Sequence, residues 1–171
     1  QCDVVLRDPM LYDNGSFSHI LCTHYTIYEI EDKNKLFSQC FHWLRGGGYL
    51  VVHIVDPDSF NMVVPSSDMY THAKLSDTKI TNTKIEFPDY TYLNQYKIQD
   101  EKWMQIETFT DMHGEHTRKN EKTIFMESKR DILATAMKTG FIMHGETTYK
   151  NDIEDMHQYL VVMVKPMCGT E

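Results

Sequence analysis

Two short apolar runs flanking an amphipathic stretch make the first legible pattern in the chain. Phe17–Cys22 (FSHILC) and Tyr49–Val55 (YLVVHIV) are bounded by polar or glycine residues, as strands buried on both faces of a parallel sheet are. Between them Leu36, Phe37, Cys40, Phe41 and Leu44 recur at helical spacing and predict one apolar helix face. Asp32 stands where an N-cap belongs, and Gly46-Gly47-Gly48 is expected to end the helix in the left-handed conformation that glycine enters cheaply. Strand, helix and strand in this order predict a right-handed βαβ unit and a partly parallel sheet, hence an α/β fold.

From Lys79 to Glu127 the period changes to two. Ile80, Ile85 and Phe87 alternate with polar residues, followed by Tyr90, Tyr92, Tyr96 and Ile98, then Trp103, Met104, Ile106 and Phe109, then Ile124, Phe125 and Met126. This pattern predicts an antiparallel sheet of three or more strands, turning at Gln99–Lys102 and at His113–His116. Ser128 and Asp131 have the form of a capping box ahead of a helix with Ile132, Leu133, Ala136 and Met137 on its buried stripe and Gly140 at its end. Phe141–His144 then begins a strand, and Tyr159–Val164 is the most apolar strand of all.

Length and charge narrow the function. A chain of 171 residues is read as a single domain, 1–171, with 66–127 as an antiparallel β subregion. Twenty-five acidic against seventeen basic residues give a net charge of −8 with no run of Lys or Arg, which argues against a nucleic acid partner. Cys2, Cys22, Cys40 and Cys168 show no paired spacing, so a reducing compartment, the cytoplasm, is expected. There is no apolar run long enough to span a bilayer, and no membrane partner is expected. The chain opens on Gln1 and on what reads as the tail of a strand at Cys2–Leu6, so a piece of a longer domain is expected.

Candidate chemistry collects where parallel sheets bind ligands, outside the carboxyl ends of the strands. Those ends are Cys22-Thr23-His24-Tyr25-Thr26 and His53–Asp58. His24, Tyr25, Tyr28, His53 and Asp56 fall at or just beyond them and are expected to line one crevice. His53 or His24 is a candidate base near neutral pH, and Tyr28 and Asp56 are candidates for contact with a substrate. Other constellations are weaker. His113-Gly114-Glu115-His116 sits on a turn and lacks the helical spacing of a zinc site. The glycine triplet precedes a strand instead of opening a helix, so it is no phosphate loop. No nucleophile elbow is present.

The order and spacing of FSHILC, THYTIYEI, WLRGGGYLVVHIVDP, Gly140-Phe141 and Gln158–Val161 resemble the central and C-terminal part of class I S-adenosylmethionine-dependent methyltransferases. Ser18 stands where that family more often has Asp, and Arg45-Gly46 where it has Lys-Pro. The resemblance implies a partial Rossmann-like sheet, parallel strands plus a C-terminal antiparallel hairpin, with the aromatic-rich sheet inserted before the last strands. It implies S-adenosylmethionine as cofactor; the acidic charge and the aromatic-rich insertion suit a small-molecule methyl acceptor. Asp3 would accept from the adenine amino group and the Val4 amide would donate to the ring, with Cys22, Thr23, His24 and Tyr25 as further cofactor contacts. The family's glycine-rich loop and the acid after its second strand have no counterpart here. The resemblance therefore implies a fragment, inactive alone, whose exposed sheet edges pair it into a homodimer. A second reading from another class is a non-catalytic half-Rossmann module that binds a protein through its inserted sheet.

Overall fold

The computed structural model describes residues 11–58, 82–99, 101–148 and 157–167. Strand β1 (Phe17–Cys22) runs parallel to β2 (Leu44–Val55), and helices α1 (Thr26–Glu29) and α2 (Lys33–Trp43) form the crossover. Helix α3 (Lys129–Thr139) leads into β7 (Ile142–Thr148) and β8 (Gln158–Val164). Both pair antiparallel, giving a mixed sheet in the order β1-β2-β8-β7. Four strands from the aromatic-rich stretch form a second, antiparallel sheet in chain order, β3 (Asn82–Glu86), β4 (Tyr90–Gln99), β5 (Lys102–Asp111) and β6 (Thr117–Phe125). Two compact units result, divided at Asp58/Ser59 and at Met126/Glu127.

The first unit buries the face that the spacing marks. Leu36, Phe37 and Cys40 of α2 are buried, and the Asp32 carboxylate accepts the Lys35 amide at 2.9 Å as an N-cap. Lys33 at the helix start is also buried, only 2 % exposed, which the apolar spacing does not foretell. Its ammonium donates to Ile30 O at 3.2 Å and to Glu127 Oε1 at 2.8 Å, so the buried charge is paired. Ser128 caps α3 as expected, accepting the Asp131 amide at 3.2 Å and donating to its Oδ2 at 2.6 Å. Gly140 ends that helix at φ 112°, and a Cβ there would stand 3.1 Å from the ring of Phe41. Met137 is 52 % exposed and does not join Ile132, Leu133 and Ala136 in the core.

Two expectations for the βαβ unit are corrected. The glycine triplet does not end α2; the backbone turns extended at Leu44, and the triplet lies inside β2. It forms a bulge, with Phe17 opposite Leu44 and His19 opposite Tyr49. Gly47 takes φ 73°, and a Cβ on Gly48 would meet Arg45 O at 2.9 Å. The helix end is satisfied instead by Lys165, whose ammonium donates to Phe41 O and Leu44 O, both at 2.7 Å. Strand β1, secondly, is not buried on both faces. Among the described residues it stands at the edge of its sheet; Cys22 is covered, whereas His19 and Leu21 on the other face are exposed, Leu21 by 67 %.

In the second unit the register sets side chains in rows across the sheet. Thr83, Asn94, Glu107 and Asn120 form one polar row, and Ile85, Tyr92, Phe109 and Arg118 the next. The rows are joined by Tyr92 donating to Glu107 at 2.7 Å, while Gln105 donates to Asn94 at 3.2 Å. The His113–His116 stretch is an exposed turn, with Asp111 accepting the Glu115 and His116 amides.

Lys165→Met removes the charged donor from two helix-end carbonyls. It is expected to lower stability by about 2 kcal/mol, seen as a lower urea midpoint at unchanged slope; an unchanged midpoint would refute the capping role.

Candidate active site

Strand β2 runs further than β1. Their parallel pairing stops at Cys22 opposite Val52, so His53, Ile54 and Val55 extend past the end of β1. On the other side β8 follows them to the end, with Val55 opposite Gln158. Among the described residues no strand flanks the overhang on the β1 side, and buried amide and carbonyl groups must find other partners.

Tyr28 of α1 supplies them. Its hydroxyl accepts the Val55 amide at 2.9 Å and donates to the Val55 carbonyl at 3.1 Å, so one side chain takes the place of a strand neighbour. Tyr28 is fully buried, and burial pushes its phenol above the ordinary range, with the charges of Asp56 and Glu127 adding to the effect against the Val55 hydrogen bond.

To bring α1 into this position, the chain turns sharply after β1. His24 and Tyr25 take left-handed φ values of 55° and 64°, uncommon for residues with a Cβ and costing about 1–3 kcal/mol each. Thr26 steadies the turn by donating its amide and hydroxyl to Thr23 O. The turn lays the Tyr25 ring 4.8 Å from the imidazole of His53, and His24 lies 5.4 Å from the Tyr25 ring. Tyr25 and His53 also meet at one atom: Gln158 Oε1 lies 3.2 Å from the Tyr25 hydroxyl and 3.0 Å from His53 Nε2. His53 and Gln158 are both buried.

The expected site residues thus divide. Tyr25 and His53 are brought together, with His24 beside Tyr25 at the exposed surface. Asp56 follows directly on the overhang; its amide donates to His157 O and its carboxylate accepts the Asp58 amide at 3.1 Å. Thr23 is exposed, and Tyr28 faces the core. Cys22 is buried beneath the turn, and desolvation, with a smaller contribution from Glu29, raises its thiol to about 11. Asp3 and Val4 lie outside the described residues. Gln158 was not among the expected residues. It opens the most apolar strand, and only the antiparallel register of β8 on β2 reveals its proximity to His53.

Among the described residues no group of three or more His, Cys, Asp or Glu is placed to hold a metal, and no helix is long and apolar enough to cross a membrane. A groove of about 620 Å³ opens beside the glycine bulge and Met167, at the amino end of β2 and away from the overhang.

The fold is similar to that of solved S-adenosylmethionine-dependent methyltransferases. A methyltransferase of that kind from Clostridium acetobutylicum superposes with a TM-score of 0.68 at 14 % identity, over 94 % of this chain and 63 % of its own. The CcbJ methyltransferase from Streptomyces caelestis gives 0.68 at 13 %, over 94 % and 62 %. The sugar N-methyltransferase KedS8 from Streptoalloteichus gives 0.60 at 18 %, over 94 % and 61 %. At these identities the likeness is one of fold, and the chain spans only about three fifths of the length of these proteins. No protein-family model and no curated protein matches the chain.

Burial also raises Cys40, to about 12. The native state therefore holds both thiol protons more tightly than the unfolded chain, and stability falls as pH rises above about 9 toward 11 and 12. Iodoacetamide at pH 8 is expected to modify Cys22 and Cys40 at least about tenfold more slowly in native protein than in urea, by peptide mass spectrometry; equal rates would contradict the burial.

Proposed function

We propose that this chain forms part of an S-adenosylmethionine-dependent methyltransferase acting on an amine or hydroxyl group of a small molecule. The supporting observation is the overhang of β2, which gathers Tyr25 and His53, with Asp56 next in sequence, at the carboxyl end of a parallel strand pair. The residues suit a sulfonium nucleoside. A cation is attracted to aromatic faces, and Tyr25 provides one beside the imidazole of His53. Thr23 and His24 are exposed at the rim for further contacts, and the Cys22 backbone leads into them. Asp3 and Val4 are proposed for the adenine end on the family resemblance.

S-adenosylmethionine, when bound, supplies a methyl group on a positively charged sulfur that departs with the bonding electron pair. What this chain adds is orientation and a proton acceptor. His53 is the proposed base, taking the proton that the acceptor's nitrogen or oxygen gives up, and His24 is the second candidate. Asp56 is proposed to contact the acceptor. Tyr28, being buried, acts on it only by holding the strand end from which His53 and Asp56 project. The net charge of −8 and the sugar N-methyltransferase among the structural neighbours support a small, amine-bearing acceptor over nucleic acid.

Titration calorimetry with S-adenosylhomocysteine is expected to give binding heat, with the chain extended upstream binding more tightly than the 171-residue chain. Tyr25→Ala should weaken binding of S-adenosylmethionine about fivefold, the loss of one ring facing the sulfonium, and binding of the uncharged thioether S-adenosylhomocysteine less. Heat in neither chain would sink the enzyme reading and leave the protein-binding module in its place.

A further inference from the structure

We propose that Gln158 is a positioning residue that fixes the tautomer of His53, a role whose purpose rests on the methyltransferase reading above. Gln158 is the first residue of β8 and stands opposite Val55. In the antiparallel register His53 pairs with Leu160, so Gln158 and His53 are diagonal neighbours on one face. The Gln158 side chain is 5 % exposed and its Oε1 receives two groups at once, the Tyr25 hydroxyl at 3.2 Å and His53 Nε2 at 3.0 Å.

A carbonyl oxygen accepts and cannot donate. The hydrogen of the His53 contact therefore belongs to Nε2, and in the neutral ring the lone pair is left on Nδ1. With His53 only 9 % exposed, the other tautomer would set a bare nitrogen lone pair against a bare carbonyl oxygen away from water, a costly arrangement. The Tyr25 hydroxyl donates to the same oxygen, which so accepts from two donors in this orientation. A reversed amide would present its NH₂ to both partners and demand the hydrogen on Nδ1, so the two arrangements predict opposite tautomers.

One amide oxygen thus does two things. It anchors Tyr25, whose left-handed backbone needs a tether, and it decides which nitrogen of His53 can take a proton. Gln158 touches neither reacting partner in this role; it acts through His53, whose proton uptake is directed to Nδ1.

The test is the long-range ¹H–¹⁵N spectrum of ¹⁵N-histidine protein at a pH where the ring is neutral, with His53 assigned from the signal lost in His53→Asn. Wild type is expected to show the Nε2–H tautomer. Gln158→Glu, whose carboxylate accepts from both donors, should keep it, and Gln158→Leu should give a mixture of both forms. The proposal is overturned if wild type shows Nδ1–H, or if folded Gln158→Leu keeps the pure Nε2–H spectrum. Should Gln158→Leu not fold, the wild-type and Gln158→Glu spectra decide alone. The measurement needs neither cofactor nor acceptor, so its outcome is read separately from the S-adenosylhomocysteine titration.

Discussion

The overhang of β2 beyond β1 is the constraint on which the rest of this site depends. A strand that outruns its neighbour leaves backbone donors and acceptors that cannot stay buried unpaired. The chain answers with the Tyr28 hydroxyl, which takes both polar groups of Val55. For Tyr28 to arrive there, the residues after β1 must reverse within a few positions, and His24 and Tyr25 bear that reversal in left-handed conformations. The Tyr25 ring is then set against His53, and Gln158 ties the two together from the opposite side of β2. Sheet geometry, loop strain and candidate chemistry are in this sense one structural fact.

The opposite end of β2 shows the same economy. The glycine bulge lets the strand begin directly after α2, with Gly48 passing too close to neighbouring backbone for any side chain. The polar ends this creates fall to Lys165, a residue far away in sequence whose ammonium closes the helix from the end of β8. Both ends of the central strand are completed by single side chains from elsewhere in the fold. Single substitutions there carry more weight than their exposure suggests.

Much of this was legible in the chain and some of it was not, for identifiable reasons. The βαβ unit, the Asp32 and Ser128 caps, the Gly140 stop and the antiparallel sheet follow from local periodicity and cap chemistry, which sequence displays directly. The glycine triplet is ambiguous in sequence because glycine suits a helix stop and a strand bulge equally well, and the residue that caps the helix end, Lys165, is a non-local partner. The exposure of Leu21 is not legible in sequence because an apolar run reads alike in a central strand and at an edge, where only pairing distinguishes them. In the candidate site, His24, Tyr25 and His53 were visible from their place at strand ends. Gln158 was not, since its role exists only through the register of β8 on β2.

The claim that Tyr28 completes the strand and thereby holds the site together is tested most directly by amide hydrogen exchange at Val55. The Val55 amide should be protected to within about tenfold of Val52, and Tyr28→Phe should remove at least about tenfold of that protection while leaving Val52 unchanged. A Val55 amide that exchanges at the rate of an open loop, or one whose protection survives Tyr28→Phe, would contradict it.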